Sequence, residues 1–276
     1  MTNMCETKLN LLPVPTFGWL GVNAAERDAE KYETEVYEVS AAEGERRSAH
    51  IWLDTESIAE VIVNAERGSY VKVVLVVDVK GEVFPRVTAE VAEGAEFDLV
   101  LLYLGGDAVS ETVTRLSGRK AVFNAEIGYL LDSGDSLDLN LITEHTGRKT
   151  VSRINAGGVL KGTARKTFKG TIDFKNGASG AKGSEKEEVL LLSDKAVNKT
   201  VPLILCAEDD VEGSHGASIG RIDEREVFYM QTRGIPEEKI CELAALGKLR
   251  QILSRIGDED TVSRINKRLG RGEEDE

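Results

Sequence analysis

Short apolar or alternating runs, separated by turn residues, fill the middle of this chain. Apolar residues at every second position, bounded by glycine-containing turns such as Gly68-Ser69, Gly94-Ala95 and Gly134-Asp135, are typical of β-strands. Helical periodicity is almost absent between residues 58 and 205, so the pattern predicts a mainly β core. The runs lie at residues 71–77, 87–91, 97–104, 121–127, 137–142, 168–174 and 189–192.

A similar stretch of sequence occurs twice in this region, at residues 93–99 and 133–139. Such an internal repeat favours a coil of strands, here with turns of about 20 residues each. Strands of this length occur both in β-sandwiches and in β-solenoids, so periodicity alone leaves the two architectures open.

The periodicity changes after residue 235. Pro236 followed by two glutamates is a typical helix opening. Gly257 is expected to end this helix, and Asp258 to cap a last short helix through Leu269. The apolar positions at helical spacing are Ile240, Leu243, Ala244, Leu249, Ile252, Leu253 and Ile256.

Composition narrows the possible partners. The formal net charge of −13 argues against nucleic-acid binding, which requires concentrated Lys and Arg. One basic cluster, at Lys161, Arg165, Lys166 and Lys169, is interpreted as a solvated strand face. The sequence contains no apolar stretch of the roughly 18 residues that a membrane helix needs, and no signal peptide is recognised. Three scattered cysteines favour a reducing cytoplasm.

His215 is the main candidate for chemistry. It stands between Gly213, Gly216 and Gly220, where the backbone is free to adopt positive φ, so we expect the ring to be displayed. Imidazole is a good ligand for iron, although a structural hydrogen bond at a strand end is the alternative. Cys206, at the end of an apolar run, is more typical of a small buried residue but is a second possible ligand.

Other residues offer less chemistry. Cys5 and Cys241 are interpreted as structural, and His145 as a hydrogen-bonded histidine. Ser214 and His215 are neighbours in an extended strand and point to opposite faces, so they cannot form a nucleophile-base pair. The glycine-rich stretch 213–220 lacks the Gly-Lys-Ser/Thr ending of a nucleotide-binding P-loop. The sequence therefore predicts neither catalytic nor cofactor-binding residues, and indicates a protein that is not an enzyme.

Two segments carry a resemblance to a known family. One comprises Asp210-Val211, Ser214-His215-Gly216-Ala217, Gly220, Asp223, Phe228-Tyr229 and Thr232-Arg233-Gly234-Ile235; the other comprises Leu12-Pro13-Val14-Pro15-Thr16 and Trp19-Leu20 through Asn23. Both resemble motifs of the SufB/SufD family, scaffold subunits of the cytosolic machinery that assembles iron-sulfur clusters.

The resemblance implies a fold. Members of this family have a right-handed parallel β-helix core with helical segments at the ends. We therefore expect an N-terminal segment at residues 1–30, the β-helix at 31–222 and a C-terminal helical subdomain at 223–276. The two terminal segments are expected to cap the ends of the coil, because the outermost turns of a solenoid have no neighbour to cover them.

The resemblance also implies a function, that of a non-catalytic scaffold. In the family a transient iron-sulfur cluster forms at a subunit interface, and His215 matches the SufD histidine that contributes to it. Residues 183–188 contain no thiol where SufB proteins carry a sulfur-accepting cysteine, which favours a SufD-like chain paired with a SufB-type subunit. A homodimeric SufB-like scaffold using Cys206 and a metal-free solenoid adaptor are the alternatives.

The family's C-terminal region docks the ATPase SufC, an ABC-type protein. The resemblance implies that ATP acts only through this partner. The residues matched to the docking region are Asp223, Phe228, Tyr229, Arg233, Gly234 and Ile235.

Overall fold

The computed structural model describes residues 7–16 and 18–269. Within these residues the chain forms sixteen strands, one short 3-10 helix at Gly18–Leu20 and three α-helices. The strands are β1 (Thr7–Leu9), β2 (Ala25–Arg27), β3 (Thr34–Ala41), β4 (Arg46–Leu53), β5 (Ile58–Ala65), β6 (Tyr70–Val77), β7 (Glu82–Val91), β8 (Glu96–Tyr103), β9 (Asp107–Leu116), β10 (Val122–Leu131), β11 (Ser136–His145), β12 (Val151–Leu160), β13 (Arg165–Phe174), β14 (Ala181–Leu191), β15 (Val197–Cys206) and β16 (Val211–Gly220). The helices are α1 (Glu224–Thr232), α2 (Glu237–Ile256) and α3 (Glu259–Arg268).

Strands β3 to β16 build a parallel β-solenoid. Successive strands alternate between two seven-stranded sheets, one in the order β15-β13-β11-β9-β7-β5-β3 and the other in the order β16-β14-β12-β10-β8-β6-β4. Each strand pairs in parallel with the strand two positions further along the chain, so two strands make one turn. This confirms the parallel coil and excludes an antiparallel sandwich.

The turns are longer than the internal repeat suggested. Thr34 lies beside Ile58, 24 residues along the chain, and Arg165 lies beside Val197, 32 residues along. The repeat at 93–99 and 133–139 leads into β8 and β11, which belong to different sheets. The expected turn of about 20 residues is therefore wrong, and the repeat reflects two similar glycine turns.

Alternate side chains point into the coil and form its core. Phe97 and Phe123 stack in neighbouring turns, with ring centroids 5.3 Å apart. Both rings are fully buried, as is Leu101 in the same core. The inward side chains of each strand pack against those of the turns above and below, so the core forms only when the turns stack.

Helices α2 and α3 pack on the outer face of the sheet that runs from β4 to β16. Val74, Val76 and Leu102 point outward from β6 and β8, yet they are buried because Leu249 and Ile252 of α2 pack on them. Burial on both faces explains why the second half of each strand is continuously apolar, at Val73–Val77 in β6 and Leu99–Tyr103 in β8. Helix α2 ends at Gly257, whose φ is +73°, and the Asp258 side chain accepts a hydrogen bond from the Thr261 amide as predicted.

The N-terminal segment lies on the outer face of the other sheet. Leu9 packs with Phe84 and Val109 there. Lys169 points outward beneath this segment, donating to the Asn10 carbonyl at 2.9 Å and pairing with Asp138 at 2.7 Å. Lys169 is fully buried as a result.

The interpretation of the basic cluster as one solvated face is therefore wrong. Arg165 is exposed and Lys161 is half-buried, whereas Lys166 and Lys169 are buried. Lys166 points into the coil and Lys169 points outward under the N-terminal segment, so the four cations do not share a face.

The described parts of the terminal segments do not sit where we expected them. Leu9, Ala25 and Ala29 pack on the outer face of one sheet, and α2 and α3 pack on the outer face of the other, instead of over the last turn of the coil, which β15 and β16 form. None of the described helices is long and apolar enough to cross a membrane.

Candidate functional site at the open end of the coil

The last strand, β16, is an exposed edge. It pairs with β14 on one side, and no strand among the described residues pairs with its other side. Val211 is half-buried and the remaining nine residues of the strand are exposed. Strand β15 forms the corresponding edge of the second sheet, so the coil ends in an uncovered turn.

His215 belongs to the inward-facing series of β16. A Cβ added at Gly213 would lie 3.1 Å from side-chain atoms of Ile204 and Phe174, so position 213 faces the interior. Since side chains alternate along a strand, His215 faces the same way. It is exposed nevertheless, because no further turn formed by the described residues covers it. The prediction of a displayed ring agrees with this position.

The expected reason for that display is wrong. Positive φ occurs at several turn glycines, but Gly213, Gly216 and Gly220 are not among them, and all three lie within the extended strand. The open end of the coil, not a glycine-permitted bend, exposes the ring.

A charged cluster fills the interior just below His215. Lys166 of β13 forms an ion pair with Glu187 of β14, and both side chains are shielded from water. The Glu187 carboxylate also accepts hydrogen bonds from the hydroxyls of Tyr129, at 3.1 Å, and Thr200. Burial lowers the pKa of Lys166 and raises that of Tyr129. Glu187 is therefore held by three donors.

Glu185 lies in the same interior but is held differently. It is 5% exposed and stands directly beside His215 in the strand register. No hydrogen bond or ion pair from the described residues reaches its carboxyl group. Burial, together with the nearby charge of Glu187, raises the pKa of Glu185 to about 8.

The cluster of Lys166, Glu185 and Glu187 was not predicted from the sequence. The sequence of β13 does indicate it. Lys166 lies at the same alternate, inward-facing positions as Phe168, Ile172 and Phe174, and all four residues are buried. The acidic residues of β14 alternate in the same way, with Glu185 and Glu187 inward and Lys186 exposed. Charged residues at the inward-facing positions of a strand are uncommon, and they point to a functional site.

Cys206 is exposed at the same end of the coil, not buried as its apolar context suggested. It ends β15, in register with Phe174. Gly213 of β16 faces Ile204 of β15 across the interior. Cys206 and His215 each lie two residues further along their strands, in opposite directions from this pair, so they are separated by four residues or about 13 Å along the strand axis. They cannot share one metal ion within a single chain. Cys241 is half-buried on α2, and Cys5 lies outside the described residues.

The other histidines have structural surroundings. His145 is fully buried between the hydroxyls of Thr150, at 2.7 Å, and Ser152, at 2.9 Å, and its ring lies 4.8 Å from that of Phe174. Burial lowers the pKa of His145 to about 4. The expected hydrogen-bonded role of His145 is confirmed. His50 lies within 3.5 Å of Asp258 at the start of α3.

The residues matched to partner docking surround α1. This helix has no buried residue; Phe228 is 68% exposed and Tyr229 is 57% exposed. Asp223 caps the helix by accepting from the Arg225 amide at 2.7 Å. The Arg233 guanidinium lies 4.9 Å from the Tyr229 ring centroid.

The chain turns sharply after α1. Gly234 has a φ of +82°, which favours glycine at this position. Ile235, half-buried, donates its amide to the Met230 carbonyl at 3.2 Å and closes the turn toward α2.

Among the described residues no group of three or more His, Cys, Asp and Glu side chains is arranged to hold a metal ion. At the open end this chain offers His215 and Glu185 side by side, with Cys206 further along the edge. Any metal bound there needs further ligands from water or from a second molecule.

Comparison with known proteins gives a family match over most of this region. A family model described as the SufBD core domain of SUF-system FeS cluster assembly matches residues 33–247, well over half of the chain. The match includes the solenoid strands, α1 and the first half of α2.

Individual relatives agree with this match. The iron-sulfur cluster assembly protein SufD of Bacillus subtilis is 33% identical over 162 residues, which is 58% of this chain and 37% of SufD. A chloroplastic SufBD family protein of Arabidopsis thaliana is 32% identical over 115 residues, 42% of this chain and 21% of that protein. SufB of Bacillus subtilis is 25% identical over 133 residues, 48% of this chain and 29% of SufB. The matches thus span only about a fifth to just over a third of these relatives.

Proposed function

The chain belongs to the SufBD family of SUF-system iron-sulfur cluster assembly proteins, and we propose that it is a SufD-like, non-catalytic scaffold subunit of a cytoplasmic assembly complex. In this proposal the open end of the solenoid pairs with a SufB-type subunit. His215 then contributes one ligand to a transient iron-sulfur cluster at the interface. The cluster is cargo and leaves for other proteins.

The exposure of His215 on an inward-facing position carries this proposal. An interior position of a solenoid is normally covered by the next turn. Here the next turn is absent from the described chain, so a second molecule can approach the ring directly. Imidazole nitrogen suits iron, and the remaining ligands would come from the partner.

The edge strands support pairing with another chain. Strands β15 and β16 are ten residues each and end their sheets, so their outer main-chain N–H and C=O groups lack strand partners among the described residues. Such an edge is a template for association with another strand. A partner that pairs here would extend both sheets and bury His215 at the junction.

Helix α1 supports the docking of an ATPase. Phe228 and Tyr229 expose two aromatic rings on a helix with no buried residue, and exposed aromatic anchors are typical of interfaces. The 213–220 stretch lacks a P-loop ending. The proposed partner is a SufC-type ABC ATPase, which supplies all ATP hydrolysis.

A homodimeric scaffold is the second candidate, because Cys206 is also exposed at the open end. Two copies facing each other could bring Cys206 of one chain toward His215 of the other. Size measurement of the chain alone and mixed with a SufB-type subunit separates these arrangements: a homodimer that persists in the mixture favours the second candidate.

The ligand role of His215 is tested by His215→Ala, with Ser214→Ala, the exposed outward neighbour, as the control. Both variants are co-expressed with SufB-type and SufC-type subunits, and the purified complex is assayed for cluster content by absorption and iron analysis. The proposal expects an intact complex with little cluster for His215→Ala and normal cluster for Ser214→Ala. Normal cluster content in both would favour a metal-free adaptor.

Docking is tested by the double substitution Phe228→Ala/Tyr229→Ala in a pull-down with the ATPase. Deleting everything after Ile222 is unsuitable, because it would strip α2 from Val74, Val76 and Leu102. Val36→Ala, an exposed apolar residue on β3, is the matched control. We expect the double variant to lose ATPase binding; undiminished binding would exclude α1 as the docking element.

A further inference from the structure

We propose that Glu185 is a second ligand which, together with His215, forms a two-residue half-site for ferrous iron at the open end of the coil. This inference rests on the proposed function and identifies the metal-binding groups that this chain supplies. It adds a carboxylate oxygen to the imidazole nitrogen already assigned.

The strand register places the two side chains together. Glu185 of β14 and His215 of β16 are paired neighbours in adjacent parallel strands, and both occupy inward positions. Adjacent strands lie about 4.8 Å apart, so two side chains at paired positions can reach one ion between them. A carboxyl group and an imidazole therefore stand in neighbouring layers of the interior at the open end.

Glycine makes room for the carboxyl group. Across the interior from Glu185 stands Gly170 of β13, and a Cβ at Gly170 would collide with the Glu185 carboxyl oxygens. The Glu185 side chain thus lies in space that any other residue at position 170 would fill. In the next turn toward the open end, Gly170 is paired with Pro202 of β15, which is half-buried.

The two buried glutamates differ in their partners. Glu187 has Lys166, Tyr129 and Thr200 as donors, so this chain satisfies it completely. Glu185 is almost as deeply buried, yet no described donor contacts it. The Glu185 carboxyl oxygens are not among the side-chain atoms that are fully closed off from water, so a ligand from outside the chain can reach them at the open end.

The two groups suit ferrous iron chemically, since Glu185 offers carboxylate oxygen and His215 offers imidazole nitrogen. Imidazole with carboxylate is a common ligand combination for ferrous iron.

Anaerobic titration of the full chain with Fe²⁺, followed by equilibrium dialysis, tests the inference. The variants are Glu185→Gln, which keeps the shape of the side chain, and His215→Ala. The control is Glu212→Gln, because Glu212 is exposed on the outward face of β16 and pairs with Lys182 at 2.7 Å. Thermal unfolding of each variant verifies that it is folded.

The inference expects the Kd for Fe²⁺ to rise on the order of 10- to 100-fold in Glu185→Gln and in His215→Ala, and to stay unchanged in Glu212→Gln. The Kd of the double variant should lie within a few-fold of the Kd of the weaker-binding single variant, because both residues bind the same ion. An unchanged Kd in folded Glu185→Gln overturns the inference. The inference is also overturned if the wild-type chain does not bind Fe²⁺, or if neither substitution changes its binding.

The cluster assay in the complex keeps this failure separate from failure of the proposed function. If His215→Ala loses cluster assembly while Glu185→Gln retains it, the scaffold function stands and the role of Glu185 is wrong. If both variants assemble cluster normally, the proposed function fails together with the inference.

Discussion

Lys166 and Glu187 form an ion pair inside the solenoid, with both side chains almost completely removed from water. Taking two charges out of water is expensive, and their attraction compensates only when every remaining hydrogen-bonding group is satisfied. Tyr129 and Thr200 complete the shell around Glu187. The pair lies one layer below the open end, next to the carboxyl group of Glu185.

Removing one partner of this pair should be strongly destabilising. Lys166→Met leaves Glu187 as an uncompensated buried charge, and we expect a loss of about 3–5 kcal/mol in the free energy of unfolding. The double variant Lys166→Met/Glu187→Met should recover part of that loss, because it removes both charges. Urea unfolding measures all three proteins.

The exposed pair Lys182–Glu212 provides the control. Both side chains are more than half exposed, so Lys182→Met should change the free energy of unfolding by less than about 1 kcal/mol. A similar small loss for Lys166→Met would contradict the buried pairing.

His145 should make stability depend on pH in the acid range. Its pKa falls from 6.5 to about 4 on folding because the ring is buried. Between these values the unfolded chain binds the proton and the folded chain does not, so stability is lost as pH falls from 6.5 toward 4. The loss from this group reaches about 2 kcal/mol between pH about 7 and about 5.

The measurement compares urea unfolding of the wild type and His145→Asn at several pH values. The carboxyl groups titrate in both proteins, so the difference between the two curves reports His145. The wild type should lose more stability than the variant on acidification. Parallel curves would show that the folded ring titrates normally.

Packing of α2 on the solenoid should be a main source of its stability. Ile252 is 6% exposed and packs against the outer face near Gly128 and Leu102. Ile252→Ala should lower the free energy of unfolding by about 2–5 kcal/mol. Leu243→Ala, on the same helix but 46% exposed, should change it by no more than about 0.5 kcal/mol. Equal effects would mean that α2 does not dock as described.

The strands that the sequence predicted best are those buried on both faces. Residues 73–77 and 99–104 are continuously apolar because the core covers one face and α2 with α3 cover the other. Strand β9 was not predicted, because its inward positions include Ser110, Thr112 and Thr114. Buried hydroxyl groups on the core side obscure the apolar alternation on which such predictions depend.

The candidate site was only half predictable. The family motif located His215, since a motif is local in sequence. Glu185, thirty residues earlier, becomes its neighbour only through the strand register, which the sequence alone did not define. Helix α2 packs on an outer face and therefore leaves the last turn of the coil uncovered. This placement likewise depends on tertiary packing between distant segments.

In the proposed complex His215, at the uncovered end of the solenoid, holds an iron-sulfur cluster shared with a second subunit. The most direct measurement is the cluster content of the purified complex carrying His215→Ala, compared with Ser214→Ala in the same complex. We predict an intact complex depleted of cluster for His215→Ala and a full cluster complement for Ser214→Ala. An intact His215→Ala complex with full cluster content would contradict it.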